Sequence, residues 1–334
     1  MYRPLFSLAV LCLLSCRPLS DIRELIEPDI SPPVFLAARA LSREGIELSF
    51  SEPAALDLAS AQFQPVLEVL GVSEPAETLV LTVSPQSPGR EYTLAATVAD
   101  RKGNSLSFLA CLYGFNPEVP GLLINEFTTL GSESHPDCVE LKALAEGNLG
   151  GVAFYEGTSG SWSQRLVFPP LSVAPGDYIL IHCKPQGIPE EVDEGENKTL
   201  SGGADASDTA YDFWLPQGKG LSGYNGVLSL CDRPGGNLLD GVLYSNRASG
   251  SDERFGGFGS ADTLLRAQEL VRDGGWRPEA DQVRPEDGIN PERSSATRSL
   301  CRDARSVDSD TREDWHIVPT RGFSFGRENS EEVY

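Results

Sequence analysis

Two stretches decide the fold class of the first third of the chain: IELSFSEP (residues 46–53) and LVLTVSPQSPGREYTLAATVADRKGNSL (residues 79–106). In both stretches apolar residues alternate with polar ones until Pro, Gly, Asp or Asn introduces a turn. A period of two is that of a β-strand with one buried face. Short strands separated by turn signals are typical of an antiparallel sandwich. We therefore predict an all-β domain over residues 31–117.

The order of these segments resembles that of the bacterial Ig-like domains found in tandem on surface proteins. FSEP (50–53) matches the end of an early strand in that family, and PGREYTL (88–94) and DRKGN (100–104) match the segments that flank a late strand. The resemblance implies a spacer or a binding platform, and it brings no catalytic residue.

A second succession of segments follows from residue 118 onward. It consists of INEF (124–127), ELKA (140–143), VAPGDYILI (173–181), LLDGVLY (238–244), SLCR (299–302) and DTREDW (310–315). This succession resembles the lamin-tail domain, an Ig-like β-sandwich, over residues 118–330. Ala143 departs from the pattern because the family has Asn at that position. The resemblance implies that the closing DTREDW segment is structural.

Two insertions enlarge this second domain. Residues 184–211 are rich in Asp and Glu and indicate a solvated acidic loop. Residues 246–298 contain a helix pattern, with Ser260 as the N-cap and Gly274 as the stop. We expect Leu264, Leu265 and Val271 to pack inward from this helix. The whole chain is thus predicted to be all-β: two Ig-like β-sandwich domains in tandem, with one short helix in the second.

The first residues indicate export. Arg3 precedes an apolar run over residues 5–14, which is too short to span a bilayer and is typical of a secretory signal. Leu13-Leu14-Ser15-Cys16 resembles a bacterial lipobox, which predicts a signal peptide over 1–15 and lipidation of Cys16. Residues 16–30 would then be a tether, and acyl chains would hold the protein in the cell envelope, at the outer membrane. The alternative is an ordinary secretory signal with an incidental cysteine.

The charge balance excludes one class of partner. The chain has 27 Lys and Arg against 49 Asp and Glu, a formal net charge of -22. Binding to nucleic acid requires clustered cationic side chains, so no nucleic-acid partner is expected. Lamin-tail domains do occur beside nucleases in exported bacterial proteins, but no nuclease-like segment or His/Asp cluster stands in this chain. We predict no catalytic residue and no cofactor apart from the lipid.

Acidic residues in the closing motif raise the question of calcium. Asp308, Asp310 and Asp314 offer oxygen ligands, but an EF-hand counted from Asp308 would have Glu313 where Gly is needed and Pro319 where Glu is needed. Calcium at these three residues is therefore kept only as an alternative to a structural role.

Five cysteines remain after the signal peptide and Cys16 are set aside. Cys183 and Cys231 each end a predicted strand and could form a disulfide in an exported protein. Buried free thiols are the competing interpretation. His182 and Cys183 are adjacent in a strand and point to opposite faces, so we predict no zinc site there.

These observations lead to one functional prediction and two alternatives. The prediction is a non-catalytic exported lipoprotein that acts as a cell-envelope binding or adhesion module for a protein or glycan ligand. Trp162, Trp214 and Tyr224 are candidate contact residues because they stand in loop-like segments. The alternatives are a divalent-metal-dependent hydrolase of the phosphodiesterase type and a purely structural spacer. Three or more carboxylates converging on one pocket would favour the hydrolase.

Overall fold

A computed structural model describes residues 29–247 and 253–334 of the chain. The predicted fold class is confirmed, since 38% of the structure is strand and 7% is helical. Cys16 and the predicted signal peptide lie outside the described residues. Within those residues, no helix combines the length and the apolar character needed to cross a membrane.

The first part of the chain forms a sandwich of antiparallel strands. Its strands are β1 (Phe35–Ser42), β2 (Gly45–Leu56), β3 (Gln62–Gln64), β4 (Val69–Val72), β5 (Ala76–Val83), β6 (Glu91–Ala99) and β7 (Ser105–Tyr113). One layer has the order β1-β2-β5-β4, and the other has β3-β6-β7. The strand β2 joins both layers, because Ala55 and Leu56 at its end pair with β6.

The alternation of residues 46–50 and 79–83 has the predicted consequence. Ile46 and Leu48 on β2 and Leu79 and Leu81 on β5 are fully buried, while the residues between them face outward. Together with Leu94 on β6 they form a core that belongs to this sandwich alone.

The second part of the chain contains a larger sandwich. Its strands are β8 (Leu122–Phe127), β9 (Cys138–Ala143), β10 (Gly147–Asn148), β11 (Ala153–Gly157), β12 (Trp162–Val167), β13 (Ser172–Val173), β14 (Tyr178–His182), β15 (Tyr211–Trp214), β16 (Asn225–Cys231), β17 (Leu238–Ser245), β18 (Leu300–Arg302) and β19 (Trp315–Ile317). One sheet has the order β15-β14-β9-β8-β18-β19, and the facing sheet has β12-β11-β16-β17. Ile124 and Leu141 of the first sheet pack against Phe154 and Leu228 of the second.

The insertion at 184–211 is largely exposed, as the predicted solvated loop requires, but Glu194 departs from that prediction. The insertion connects β14 to β15, which pair in parallel, and its acidic side chains accept backbone hydrogen bonds. Glu194 is 2% exposed, and its carboxylate accepts the N–H groups of Leu200, Ser201 and Asp212 at 2.9 Å each. A crossover without regular structure leaves many buried N–H groups that need acceptors. The acidic residues therefore hold the insertion in place.

The insertion at 246–298 contains the predicted helix, α1 (Ala261–Arg272). Ser260 caps it as expected, with its Oγ accepting the N–H of Thr263 at 3.1 Å, and Gly274 follows the C-cap at a φ of +84°. The helix packs on β16 and β17 through Ala267 and Leu270, with Leu264 and Val271 at the edge of the contact. The expectation for Leu265 was wrong: it is 45% exposed, because it lies on the opposite side of the helix from Leu270. Short 3-10 helices cover Glu253–Phe255, Pro285–Asp287 and Arg312–Asp314.

Candidate functional site

A cleft of about 600 Å³ lies between the two sandwiches. The first sandwich supplies one wall from β1, β6 and β7, and the second supplies the other from β11, β12 and the turn between β16 and β17. The polar and aromatic side chains that line the cleft are Arg39, Glu91, Cys111, Tyr113, Tyr155, Ser159, Trp162, Arg165 and Arg233. The cleft therefore combines aromatic surface with groups that can form hydrogen bonds.

Close backbone contacts hold the two walls together. Asn116, in the linker, donates from Nδ2 to the carbonyls of Asn148 and Gly150 at 2.7 and 2.9 Å. Gly89 has a φ of +66°, and a Cβ on it would lie 2.1 Å from the backbone of Gly150 and Gly151. Only glycine allows this approach, so the spacing of the walls depends on Gly89.

Trp162 and Arg165 form the centre of the second wall. Trp162 begins β12 and is 44% exposed. The guanidinium carbon of Arg165 lies 5.2 Å from the centre of the Trp162 ring, and the Tyr155 ring centre lies 6.2 Å from it. Among the residues that the structure describes, no carboxylate pairs with Arg165. Arg165 hydrogen-bonds the side chain of Tyr155. The result is an exposed aromatic ring beside a cation that has no carboxylate partner among the described residues.

On the opposite wall, Glu91 organises the side chains of β6 and β7. The hydroxyl of Tyr113 donates to Glu91 Oε2 at 3.0 Å, and Cys111 Sγ lies 3.6 Å from Oε1. Burial and the charge of Glu91 raise the pKa of Tyr113 to about 12, while Arg165 across the cleft acts in the opposite direction. Tyr113 thus stays a neutral phenol, and the field of Arg165 reaches both walls.

A smaller pocket of about 400 Å³ adjoins the cleft. It shares Ser159 with the cleft and continues under α1, where Ser229, Asn237, Leu270 and Asp273 line it. The outer face of the β12-β11-β16-β17 sheet is therefore covered by α1 at one end and open to the cleft at the other.

The three aromatic residues that were predicted to contact a ligand lie in different places in the structure. Trp162 lies in the cleft, and Tyr224 is 49% exposed outside it. Trp214 was wrongly expected to be exposed: it is 6% exposed and stacks on His182 with ring centres 3.9 Å apart. The cause is register, since β14 and β15 pair His182 directly with Trp214.

The candidate calcium residues are brought together only in part. Asp308 and Asp310 join Asp240, with one oxygen of each within 4.8 Å of the others. Asp314 instead caps the Arg312–Asp314 helix, accepting the N–H and Oγ–H of Ser309 at 2.7 Å each. Asp240 was not among the residues that the sequence singled out.

A fully buried arginine occupies the middle of this acidic group. Arg302 Nη1 lies 3.0 Å from Asp308 Oδ1, Nη2 lies 3.6 Å from Asp240 Oδ1, and Nε donates to the carbonyl of Ile124. Burial raises the pKa of Asp240 to about 7, although Arg302 lowers it. Because the guanidinium already supplies a positive charge, these carboxylates have less need of a metal ion. Calcium at these residues stays an untested alternative to the structural role.

The INEF and ELKA motifs have a structural role that the sequence did not reveal. Glu126 and Glu140 are fully buried, and their carboxylates accept the backbone N–H groups of Ser324 and Gly326. Burial raises the pKa of both carboxyl groups, and for Glu140 the neighbouring Glu126 adds to the rise. These motif residues therefore fasten the C-terminal segment onto the sheet.

The possible bridge between Cys183 and Cys231 is not formed, and the competing interpretation, buried free thiols, agrees with the structure. Cys183 lies in the core between the sheets, whereas Cys231 packs with Ala153 and Tyr155 on the outer face of the other sheet. The cysteines of the described residues are all free: Cys111 is exposed, and Cys138, Cys183, Cys231 and Cys301 are buried. As expected, His182 and Cys183 point to opposite sides, with His182 Nε2 hydrogen-bonded to Asp212 at 2.7 Å.

Sequence reasoning missed most of the cleft. Arg39, Glu91, Tyr113 and Arg165 occupy outward positions on strands, where charged residues usually face solvent. Trp162 carried a signal, since an exposed tryptophan is unusual. No local sequence pattern indicates which face of the first sandwich meets which face of the second.

Comparison with known proteins defines the class of the larger domain. The chain belongs to the family described as "TP_1001_2nd: protein second domain", whose family model matches residues 120–317. A protein of Treponema pallidum (strain Nichols), described as "Uncharacterized protein", is 27% identical over 159 residues, which are 47% of this chain and 40% of that protein. The matched region thus spans less than half of that relative.

Two solved structures show slight similarity. The N-terminal part of the bacterial S-layer protein SbsC is 16% identical, with a TM-score of 0.24 over 37% of this chain and 34% of that one. Dimeric latent PorU from Porphyromonas gingivalis is 10% identical, with a TM-score of 0.17 over 67% of this chain and 21% of that one. At these TM-scores neither structure indicates the fold or the function of this chain.

Proposed function

We propose that this protein is an exported lipoprotein, anchored through Cys16 in the cell envelope, whose non-catalytic work is to bind a ligand in the cleft between its two sandwiches. The observation that carries the proposal is the placement of Trp162 and Arg165. An exposed tryptophan and a cation without a carboxylate partner face a second wall that also offers hydrogen-bonding groups. Sites with aromatic surface and a few fixed polar groups are those that bind ligands.

The position of the cleft suits a module held on a tether. Trp162 and Arg165 stand on β12, and the facing residues Glu91 and Tyr113 stand on β6 and β7, so these contact residues sit on a rigid scaffold. The tether and the lipid anchor would keep this scaffold at the membrane while leaving the cleft free. The lamin-tail and Ig-like resemblances agree with a binding role and supply no catalytic residue.

The anchor and the cleft are tested separately. Labelled palmitate should be incorporated into the wild-type chain in bacterial cells and not into Cys16→Ala. For the cleft, the full-length Cys16→Ala chain is incubated with delipidated cell envelopes, together with Trp162→Ala and Tyr224→Ala versions. The proposal predicts that Trp162→Ala weakens retention about tenfold and that Tyr224→Ala, an exposed aromatic outside the cleft, does not. Equal retention of all three chains would refute the cleft as the binding site.

The alternative function is a metal-dependent hydrolase, and the carboxylates of Asp240, Asp308 and Asp310 are the group that could hold its metal ion. Two features argue for a structural role instead. Both carboxylate oxygens of Asp240 already accept backbone N–H groups, from Ile124 and Gly241 at 2.6 and 2.7 Å. Asp240 is also 3% exposed, which leaves little room for a substrate beside it. Metal-dependent release of nitrophenol from bis(p-nitrophenyl) phosphate that Asp308→Asn abolishes would favour the hydrolase.

A further inference from the structure

We infer that the cleft binds an acidic saccharide, with the Trp162 ring stacking on a sugar face and the Arg165 guanidinium binding the sugar's carboxylate. This inference rests on the proposed function and names the chemical class of its ligand. It concerns the pair of side chains at the centre of the second wall, which lie 5.2 Å apart.

The positive charge of Arg165 indicates that the ligand carries a negative charge. A guanidinium presents a planar fork of N–H donors that matches a carboxylate in two parallel hydrogen bonds. Other cleft arginines are already engaged: Arg39 Nε lies 2.6 Å from Glu47, and Arg233 Nη1 lies 3.1 Å from Asp232. Arg165 has no carboxylate partner among the described residues. It hydrogen-bonds the side chain of Tyr155, and its guanidinium carbon lies 5.2 Å from the centre of the Trp162 ring. An anionic group on the ligand would supply the carboxylate partner that Arg165 lacks.

The other residues that line the cleft indicate that the ligand is a saccharide. The negative face of an aromatic ring attracts the weakly positive C–H groups of a sugar face, and Trp162 offers such a ring to solvent. Around it stand the hydroxyl groups of Ser159 and Tyr113 and the carboxylate of Glu91. Sugar hydroxyls can donate to Glu91 and to the oxygen of Tyr113, whose proton is already donated to Glu91, and they can accept from Ser159. A peptide would need apolar pockets for its side chains, whereas this lining is mainly polar or aromatic.

Binding of defined oligosaccharides tests the inference. Calorimetric titrations of the full-length Cys16→Ala chain use oligomers that contain galacturonate, glucuronate or N-acetylmuramate, each paired with its methyl ester. We expect at least one acidic oligomer to bind about tenfold more tightly than its ester. Arg165→Gln should abolish that preference while leaving weak binding of both forms. Trp162→Ala should weaken both forms about equally, and Tyr224→Ala should change neither.

The outcomes separate this inference from the proposed function. If acid and ester bind equally, or if no oligomer binds while Trp162-dependent retention on envelopes persists, the acidic saccharide is refuted and the binding module stands. If Trp162→Ala changes neither the oligomer affinities nor the retention on envelopes, both proposals fall. Melting temperatures of each variant within about 1 °C of the parent chain would confirm that the substitutions leave the fold intact.

Discussion

The guanidinium carbon of Arg165 lies 5.2 Å from the centre of the Trp162 ring, and the two residues are three positions apart on β12. The pairing of β12 with β11 shifts register between Gln164 and Trp162. The pair stands on a strand at the edge of the β12-β11-β16-β17 sheet and faces the first sandwich. It joins an apolar face and a positive charge in one surface, within a chain whose net charge is -22. The ligand binding that we propose for the cleft would depend on this pair and on the spacing of the walls around it.

Gly89 sets the spacing of the walls. Gly89→Ala should force the sandwiches apart, because the new Cβ would meet the backbone of Gly150 and Gly151 at 2.1 Å. Small-angle X-ray scattering should show a larger radius of gyration, and retention on cell envelopes should fall. Gly103→Ala is the matched control: it also places alanine at a positive φ, +90°, but with nothing within 4 Å. If both variants scatter alike, the glycine contact does not hold the walls.

Asp240 should make stability depend on pH in an unusual direction. Its pKa is about 7 in the folded chain, raised by burial despite the opposing charge of Arg302, against 3.8 for an ordinary Asp. Below about pH 3 the carboxyl is protonated in both states, and as pH rises to about 7 the unfolded state ionises first. Wild type should therefore lose stability relative to Asp240→Asn over this range, by about 1.4 kcal/mol per pKa unit. Denaturant unfolding at several pH values measures the difference, and a constant difference would contradict the raised pKa.

Calcium should have little effect on stability, because Arg302 already lies among Asp240, Asp308 and Asp310. Differential scanning calorimetry in 1 mM calcium and in EDTA should give melting temperatures within about 1 °C of each other. An increase of several degrees with calcium that Asp308→Asn removes would establish the metal site that the closing motif first suggested.

Thiol reactivity should distinguish Cys111 from the other described cysteines. Cys111 is exposed, whereas burial raises the pKa of the Cys138, Cys183 and Cys231 thiols. Ellman's reagent should therefore label Cys111 rapidly in the native Cys16→Ala chain and the buried thiols only after unfolding. Peptide mapping without reduction that finds Cys183 linked to Cys231 would overturn the free-thiol structure.

The sequence was sufficient for the fold class because its signals are local. The alternation at Ile46 and Leu48 requires only that one face of a strand be buried, and Ser260 caps α1 through an N–H three residues away. The error at Leu265 was also local in origin. Leu264 and Leu265 lie about 100° apart around the helix, and only Leu264 is on the side of Ala267 and Leu270.

The candidate site could not be predicted in the same way, because it depends on contacts between distant residues. Arg165 and Tyr113 meet only after the sandwiches dock, and Asp240 joins Asp308 only through strand order. Glu194 in the acidic insertion departs from the prediction for a related reason. Glu194 resembles a solvated residue in the sequence, and only the parallel pairing of β14 with β15 gives it buried N–H groups to accept.

The most direct test of the account is a hydrogen-exchange footprint of the full-length Cys16→Ala chain with muramidase-solubilised cell-wall fragments. Binding in the cleft should slow exchange in both walls together, at residues 37–40, 111–113 and 159–165, and leave the segment around Tyr224 unchanged. The slowing should disappear in Trp162→Ala. Protection confined to other surfaces, or no protection at fragment concentrations that saturate envelope retention, would contradict ligand binding in the cleft.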